Sequence, residues 1–403
     1  MPTDVTESLA PISGIELGTA SAAIRRQPGP DLAVIALRPS TSCAAVFTQN
    51  AFAAAPIEVA RRHLAQTAPR YLLINAGNAN AGTGERGLRD CETTCALLAQ
   101  QVGCAPFEVL PFSTGVIGEP LPLHRFKSAI PQACAALSAD GWSAAARAIM
   151  TTDTRPKAAS TQICVQDQWI RITGIAKGAG MICPNMATLL AFVATDAAVE
   201  APLLQRCLDR AVSHSFNRIT VDGDTSTNDA CVLMATGCSG LPRIERDGEG
   251  YQALTEGVSA VCEALAKAIV RDGEGATKLI TIEVAGGGSE AECLKTAYCV
   301  AHSPLVKTAF FASDPNWGRL LAAVGRAGLP DLAVREVGIA IGDVWVVRHG
   351  ALAQEYTEAA GRAAMAESEI TVRIDLGRGD CKAQIWTCDL SYDYVKINAQ
   401  YRS

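Results

Sequence analysis

The chain has 403 residues, enough for one large or two ordinary domains with a substantial core. Hydrophobic residues make up 49% and charged residues 19%, which places it among globular chains and excludes a disordered one. A net charge of −6 and an aromatic content of 5% supply neither the basic footprint nor the stacking platform of a nucleic-acid binder.

Residues 13–40 alternate apolar and small side chains on either side of Gln27-Pro-Gly-Pro30, the pattern of a hairpin. Residues 56–66 read as a helix and Tyr71-Leu-Leu-Ile-Asn75 as a short buried strand. A loop of small residues and amides, Asn75-Ala-Gly-Asn-Ala-Asn-Ala-Gly-Thr83, leads into a helix that starts at Thr83-Gly-Glu-Arg and runs to about residue 102. Phe107-Glu-Val-Leu-Pro is a second strand, opening on Ser113-Thr-Gly-Val-Ile-Gly118. Residues 121–150 are alanine-rich and helical, interrupted near Ala139-Asp-Gly141, and end in Met150-Thr-Thr-Asp-Thr154. Residues 161–175 read as strands. They lead to a glycine-loosened loop, Lys177-Gly-Ala-Gly-Met-Ile-Cys-Pro-Asn-Met-Ala-Thr188, and then to the apolar run Leu189-Leu-Ala-Phe-Val-Ala194, a buried strand.

A helix over 202–215 is bounded by Asn217. Then come the hydroxyl-rich acidic loop Thr220-Val-Asp-Gly-Asp-Thr-Ser-Thr-Asn-Asp229, a strand over 230–235 and a long amphipathic helix over 250–270. After Arg271-Asp-Gly-Glu-Gly275 and a strand over 278–284, the triplet Gly286-Gly-Gly288 places a domain boundary. The chain is thereby divided into a core of residues 1–285 and a smaller domain of 286–403. The remainder mixes helices near 289–301 and 317–326 with strands near 332–348, 369–375 and 382–388. No strict βαβ rhythm is present, and the class is mixed α/β (α+β).

The fifteen cysteines contain no CxxC pair, and most sit in apolar stretches, where they act as small hydrophobes of a reduced, cytoplasmic protein. The five histidines are scattered and none pairs with a cysteine at zinc spacing, so no metal is expected. The opening Met-Pro-Thr-Asp-Val-Thr-Glu lacks the basic and apolar regions of a signal peptide. No apolar run has the length of a membrane span, and no membrane partner is expected.

Several stretches carry groups suited to chemistry. A threonine at the mouth of a buried strand, after a small residue and a flexible loop, suits a self-cleaving nucleophile. The Thr188 hydroxyl would attack the carbonyl of Ala187, and the freed α-amine would then serve that hydroxyl as general base. The plain alternative is that Thr188 only opens a strand, where β-branched residues are common. In Ser113-Thr114-Gly115 a hydroxyl beside a backbone N–H suits an oxyanion hole, or forms a simple turn. Lys177, near Gly174, Gly178 and Gly180, suits a substrate carboxylate, although lone lysines are usually solvated. Glu274, flanked by glycines, suits a substrate ammonium, or belongs to a turn. Asp222, Asp224 and Asp229 offer oxygen ligands, but their spacing does not match the EF-hand template. A structural loop whose carboxylates bond nearby backbone groups is the better account. Asp314-Pro-Asn-Trp-Gly318 has the composition of a turn, and neither a GxGxxG after a strand nor a GxxxxGK[ST] occurs.

The segment from Lys177 to Phe192 closely resembles the self-cleavage segment of the ornithine acetyltransferase family, the glutamate N-acetyltransferases and amino-acid acetyltransferases of arginine biosynthesis. The resemblance runs through nearly the whole chain. It includes Asn75-Ala-Gly-Asn-Ala-Asn-Ala, Ser113-Thr-Gly-Val-Ile-Gly, Met150-Thr-Thr-Asp-Thr, Asn217-Arg-Ile-Thr-Val-Asp-Gly-Asp-Thr-Ser-Thr-Asn-Asp, Arg271-Asp-Gly-Glu-Gly-Ala-Thr-Lys and Asp314-Pro-Asn-Trp-Gly-Arg. It implies a fold like that of self-processing β-aminopeptidases, with sheets between helices and a smaller C-terminal α/β domain. It also implies a cut between Ala187 and Thr188, giving an α chain of 1–187 and a β chain from 188 whose first residue is the nucleophile. Thr114 and Gly115 match the oxyanion hole, and Thr151, Lys177, Thr188, Glu274, Asn398 and Ser403 match the substrate contacts. The implied reaction is ping-pong transfer of acetyl from N-acetylornithine to glutamate through an acetyl-Thr188 ester, with acetyl-CoA as a possible second donor. No metal or nucleotide is implied, and the implied assembly is an α2β2 heterotetramer. A self-processing amidase or β-aminopeptidase is the alternative: it would share the cut but pass its acyl group to water.

Overall fold

The computed structural model describes residues 9–165, 167–183 and 189–400. Ala187 and Thr188 at the expected cut, and Ser403 at the C-terminus, lie outside the described residues. The described residues fall into two compact units, one within Met1–Asn217 and Asp224–Ile269, the other within Arg218–Gly223 and Val270–Ser403.

The first unit runs β1 (Ile15–Ala20), β2 (Leu32–Leu37), β3 (Ser42–Phe47), α1 (Ala55–Gln66), β4 (Tyr71–Asn78), α2 (Gly84–Val102), β5 (Val109–Val116), α3 (Leu123–Ala135) and α4 (Trp142–Ala148). It continues with β6 (Lys157–Val165), β7 (Gln168–Lys177), β8 (Leu190–Thr195), α5 (Ala201–Ser213), β9 (Ala230–Ala235) and α6 (Glu249–Arg271). Two sheets form, in the orders β1-β2-β4-β5 and β3-β9-β8-β7-β6.

Side-chain alternation explains the layering. On β2, Ala33, Ile35 and Leu37 join Leu72, Phe112, Ile175, Phe192 and Met234 in one core, which lies between the two sheets. Phe112 and Phe192 meet at its centre, edge to face, with ring centroids 5.2 Å apart. Leu32 and Val34, on the opposite face of β2, pack instead with Leu98 of α2 and Phe126 and Ile130 of α3. On the far side of the second sheet, α5 packs against β3 and β9. There α6 approaches β7 so closely that a Cβ on Gly174 would lie 3.0–3.1 Å from Val193, Val261 and Leu265. The result is helices, sheet, sheet, helices: the mixed α/β sandwich expected from the resemblance. β8 and β9 form a parallel pair in which every residue is buried, which is why both read as unbroken apolar runs.

The second unit contains β10 (Leu279–Gly287), α7 (Glu290–Ala301), α8 (Pro304–Phe311), α9 (Trp317–Gly325), β11 (Gly338–Ile341), β12 (Val344–Arg348) and β13 (Ala351–Leu352). It ends with α10 (Glu358–Met365), β14 (Glu369–Asp375), β15 (Cys381–Cys388) and α11 (Tyr392–Gln400). Its six-stranded sheet has the order β13-β12-β11-β14-β10-β15. Ser289, Ser303, Asn316 and Thr357 cap the N-termini of α7, α8, α9 and α10 with their side-chain oxygens. Asn316 accounts for the Asp314-Pro-Asn-Trp-Gly turn, which is the entry to α9.

The units divide near residue 270 rather than at Gly286-Gly-Gly288. Gly286 and Gly287 belong to β10, where pairing with β15 shifts register between Val284 and Gly287. These glycines mark a bulge inside a sheet, not a linker. Among the described residues no helix is long and apolar enough to cross a membrane.

Candidate active site

Lys177 is the last residue of β7 and pairs with Leu190, the first of β8. The sequence placed it on a loop, but pairing with β8 extends the strand to include it. The residue is 4% exposed, and its Nζ donates to Thr114 Oγ1 at 3.1 Å. Thr114 lies near the end of β5, in the other sheet, and is 7% exposed. A buried ammonium thus bridges the two sheets to a hydroxyl. An oxygen that accepts from an ammonium keeps its own proton to donate, which suits Thr114 to stabilise a developing oxyanion.

Gly115 has φ +130, and a Cβ there would lie 2.3 Å from the Gly77 carbonyl carbon of β4. Gly77 has φ +104, and β4 and β5 lose regular register at this point. Only glycines let the two backbones pass this closely. The strand end is anchored by buried amides. Ser113 donates its hydroxyl to Asn75 Oδ1 at 2.7 Å, and Asn228 Nδ2 donates to the carbonyls of Ala79 at 2.6 Å and Ser113 at 3.0 Å. The loop of small residues and amides read from the sequence is therefore the scaffold behind Thr114.

Asp153 ties the remaining groups of this unit together. Its carboxylate accepts from the Thr151 N–H at 2.9 Å, the Gly178 N–H at 2.7 Å and the Lys157 ammonium. Burial alone would raise its pKa, but the charges of Lys157 and Lys177, with hydrogen bonds from Lys157 and Gly178, hold the carboxyl well below the usual range. Asp229 is the opposite case. Burial pushes it well above the carboxylate range, against the pull of Lys177, the nearby Ser226 hydroxyl and the Leu189 N–H. That N–H donates to Asp229 Oδ1 at 3.0 Å. Leu189 immediately follows Thr188, so Asp229 pins the chain next to the expected nucleophile.

In the second unit, Glu274 is 8% exposed and accepts from Asn398 Nδ2 at 2.7 Å. Asn398 is carried by α11, a helix where the sequence suggested only a polar tail. Gly275 makes room for that helix: at φ +71, a Cβ there would lie 2.6 Å from both Ser391 Oγ and the Tyr394 nitrogen. The following Thr277 and Lys278 donate their N–H groups to Asp389 Oδ1 at 2.8 and 2.9 Å. Lys278 Nζ donates to the carbonyls of Phe310 and Met365 and to Ser313 Oγ, which occupies all three of its protons. Lys278→Met is therefore expected to destabilise the second unit, by about 1–3 kcal/mol for buried acceptors left unsatisfied, read from a denaturant midpoint.

Two pairs of expected site residues are brought together: Thr114 with Lys177, and Glu274 with Asn398. Thr151 joins the first pair through Asp153. Sequence reasoning missed Asp153 and Lys157 altogether and gave Asp229 only a structural part. The available signal was an Asp and a Lys four residues apart at the entrance of a strand, Asp153-Thr-Arg-Pro-Lys157. Of the three acids weighed as a metal site, Asp222 accepts from the Tyr394 hydroxyl at 3.4 Å and Asp229 from a backbone N–H. Among the described residues no cluster of three or more His, Cys, Asp or Glu side chains is arranged to hold a metal ion.

A family model described as the ArgJ family matches residues 16–403. The arginine biosynthesis bifunctional protein ArgJ of Methylococcus capsulatus is 60% identical over 395 residues, which cover 98% of this chain and 97% of that protein. The protein of the same name from Pseudomonas fluorescens is 55% identical over 397 residues, 98% of each. A crystal structure of the arginine biosynthesis bifunctional protein ArgJ from Bacillus halodurans is 38% identical, with a TM-score of 0.50, and the match covers 52% of this chain and 98% of that one. With matches of this extent and identity, the chain belongs to the ArgJ family.

Proposed function

We propose that this protein is a glutamate N-acetyltransferase of arginine biosynthesis, moving acetyl from N-acetylornithine to glutamate through an ester on Thr188. The observation that carries the reading is the buried Lys177–Thr114 bridge at the end where β8 begins, one residue after Thr188 and its neighbour Leu189. The chain cuts itself between Ala187 and Thr188, and the freed α-amine takes the proton of the hydroxyl. An α-amine has an ordinary pKa of about 8, close to working pH, which suits a general base. The hydroxyl attacks the acetyl carbonyl, and Thr114 with the Gly115 N–H stabilises the oxyanion. Ornithine departs, and the α-amino group of glutamate attacks the ester. The Bacillus match supports the cut, since almost all of that chain corresponds to about half of this one. Residues 188–403 are a little over half of the sequence.

Thr151, Lys177, Thr188, Glu274, Asn398 and Ser403 are the proposed substrate contacts. N-acetylornithine and glutamate share an α-carboxylate, for which Lys177 is the proposed partner, while Glu274, oriented by Asn398, suits the ornithine ammonium. On this reading the cut chains assemble as an α2β2 heterotetramer in the cytoplasm, and acetyl-CoA is the candidate second donor. Purified protein given N-acetylornithine and glutamate should form N-acetylglutamate. Acetate as the main product would instead identify a hydrolase. Acetyl-CoA with glutamate alone tests the second donor.

Two substitutions test the roles. Thr114→Ala should lower kcat by about 10²–10³, the usual loss for one oxyanion donor, with little change in N-acetylornithine affinity. A near-normal kcat would place the oxyanion hole elsewhere. Glu274→Gln should mainly raise KM for N-acetylornithine, and steady-state kinetics with each substrate varied separately would expose an equal effect on glutamate, which contradicts the assignment.

A further inference from the structure

Arg25 carries a guanidinium that the transfer reaction leaves without a part. It stands in the loop between β1 and β2, and a carboxylate of that loop fixes it there. Asp31, fully buried, accepts from the Ala22 N–H at 2.6 Å and from the Arg25 N–H at 2.8 Å. The backbone so fixed lies against the scaffold of the oxyanion strand. A Cβ on Gly77 would come within 2.6 Å of the Arg25 nitrogen and 2.7 Å of its Cα, and Gly77 is also the residue against which Gly115 packs.

The side chain reaches another part of the site. Its Nη1 donates to the Met150 carbonyl at 2.9 Å, and its Nη2 to the Pro30 carbonyl at 3.4 Å. The Met150 carbonyl belongs to the peptide that carries the Thr151 N–H, so Nη1 lies within about 5 Å of the Thr151 nitrogen. From Thr151 the contacts continue through the Asp153 carboxylate to the Gly178 N–H, next to Lys177. Arg25 and the proposed partner of the substrate α-carboxylate are thus joined by one short chain of contacts. What Arg25 lacks is an anion. Of its five N–H donors two meet carbonyl oxygens, the buried Nε has no acceptor, and among the described residues the guanidinium makes no ion pair. Lys157, the other cation beside Asp153, is by contrast paired with it.

The two substrates differ in what such a group would bind. N-acetylornithine and glutamate share an α-carboxylate, but one side chain ends in an ammonium and the other in a carboxylate. A glutamate such as Glu274 suits the first and repels the second, so the acceptor needs a cation of its own. We propose that Arg25 binds the side-chain carboxylate of glutamate and is the residue that selects glutamate as acetyl acceptor. The inference rests on the proposed transfer to glutamate and adds the group that recognises the acceptor. The planar fork of an arginine meets a carboxylate through parallel N–H donors, a more directional grip than the point charge of a lysine. The Met150 carbonyl already holds the fork, so little side-chain freedom is lost when the carboxylate arrives. Glutamine has the same length but no charge, and gains only neutral hydrogen bonds there.

The test compares Arg25→Gln and Arg25→Lys with the wild type. In a ping-pong reaction kcat/KM for the donor reports the first half-reaction and kcat/KM for the acceptor the second. Formation of N-acetylglutamate and N-acetylglutamine is measured with glutamate and glutamine as acceptors. Arg25→Gln keeps an N–H donor beside the Met150 carbonyl and removes the charge. Its kcat/KM for glutamate should fall at least about 10-fold, the range of a lost hydrogen bond to a charged group. Its kcat/KM for glutamine and for N-acetylornithine should stay within about twofold of wild type, since neither presents a side-chain carboxylate. Arg25→Lys keeps the charge but not the fork, and its preference for glutamate over glutamine should fall between the other two. Equal losses with glutamate and glutamine, an equal loss with N-acetylornithine, or an unchanged preference in the Gln variant overturns the proposal. If Arg25→Gln yields no folded enzyme, the Lys variant decides: a lowered preference with an intact donor half-reaction supports the proposal, and a wild-type preference overturns it. A wild type that forms no N-acetylglutamate would overturn the transfer reading itself, a separate result.

Discussion

Thr188→Ala is expected to accumulate as a single uncut chain with no acetyl transfer. The hydroxyl is needed twice, first to attack the Ala187 carbonyl and then to carry the acetyl group, and alanine offers no nucleophile for either step. The α-amine is lost with it, since that base exists only after the cut. The loss should therefore be complete, unlike the partial losses expected when an oxyanion donor is removed. Thr188→Ser keeps a hydroxyl at the same place and should still cut. Mass spectrometry of both variants, with assay of N-acetylglutamate, checks this, and an active uncut Ala variant would remove the nucleophile from the account.

The second large effect is on stability. Asp153→Asn should destabilise the first unit by about 3–5 kcal/mol, the usual cost of removing one partner from a buried ion pair. Lys157 and Asp153 have side chains 2% and 0% exposed, so water cannot replace the lost charge. Lys177, 4% exposed, loses the same counter-charge. The Asn side chain still offers an oxygen to the Gly178 N–H, which makes the loss mainly electrostatic. Removing the second charge as well, in Asp153→Asn with Lys157→Met, should recover part of it, and the coupling can be read from a double-mutant cycle of denaturant midpoints. The pH dependence has a definite sign. The folded chain holds the Asp153 carboxyl below its ordinary value, so its contribution is complete above about pH 4 and is lost as pH falls towards the folded value. In the Asn variant that acid-side loss should shrink.

How much of this was legible in the sequence depends on what each element owes to its own residues. β8, β9 and α6 were readable because their burial is uniform or strongly periodic along the chain. β3, Ser-Cys-Ala-Ala-Val-Phe, escaped notice: its small residues are mostly half-buried and give no sharp pattern. α11 has no buried residue, so nothing in its own composition announces a helix, and its start is held by the Ser391 hydroxyl on the Gly275 carbonyl at 2.6 Å. Gly286-Gly-Gly288 misled in the other direction, because a bulge and a linker ask for the same residue.

The site divides in the same way. Thr114, Lys177 and Glu274 were singled out through whole motifs and Asn398 through the family resemblance alone, while their pairings depend on contacts across 63 and 124 residues that no local pattern encodes. Asp153 looks like an ordinary turn residue until its burial against two lysines is known.

The central claim, that an amino-terminal Thr188 carries the acetyl group, is tested most directly by mass spectrometry of the wild-type enzyme incubated with N-acetylornithine and no glutamate. The account predicts two chains, 1–187 and 188–403, with one acetyl group on the second, located at Thr188 and released as N-acetylglutamate when glutamate is added. An active enzyme that remains one intact chain, or an acetyl group that resides on another residue, would contradict it.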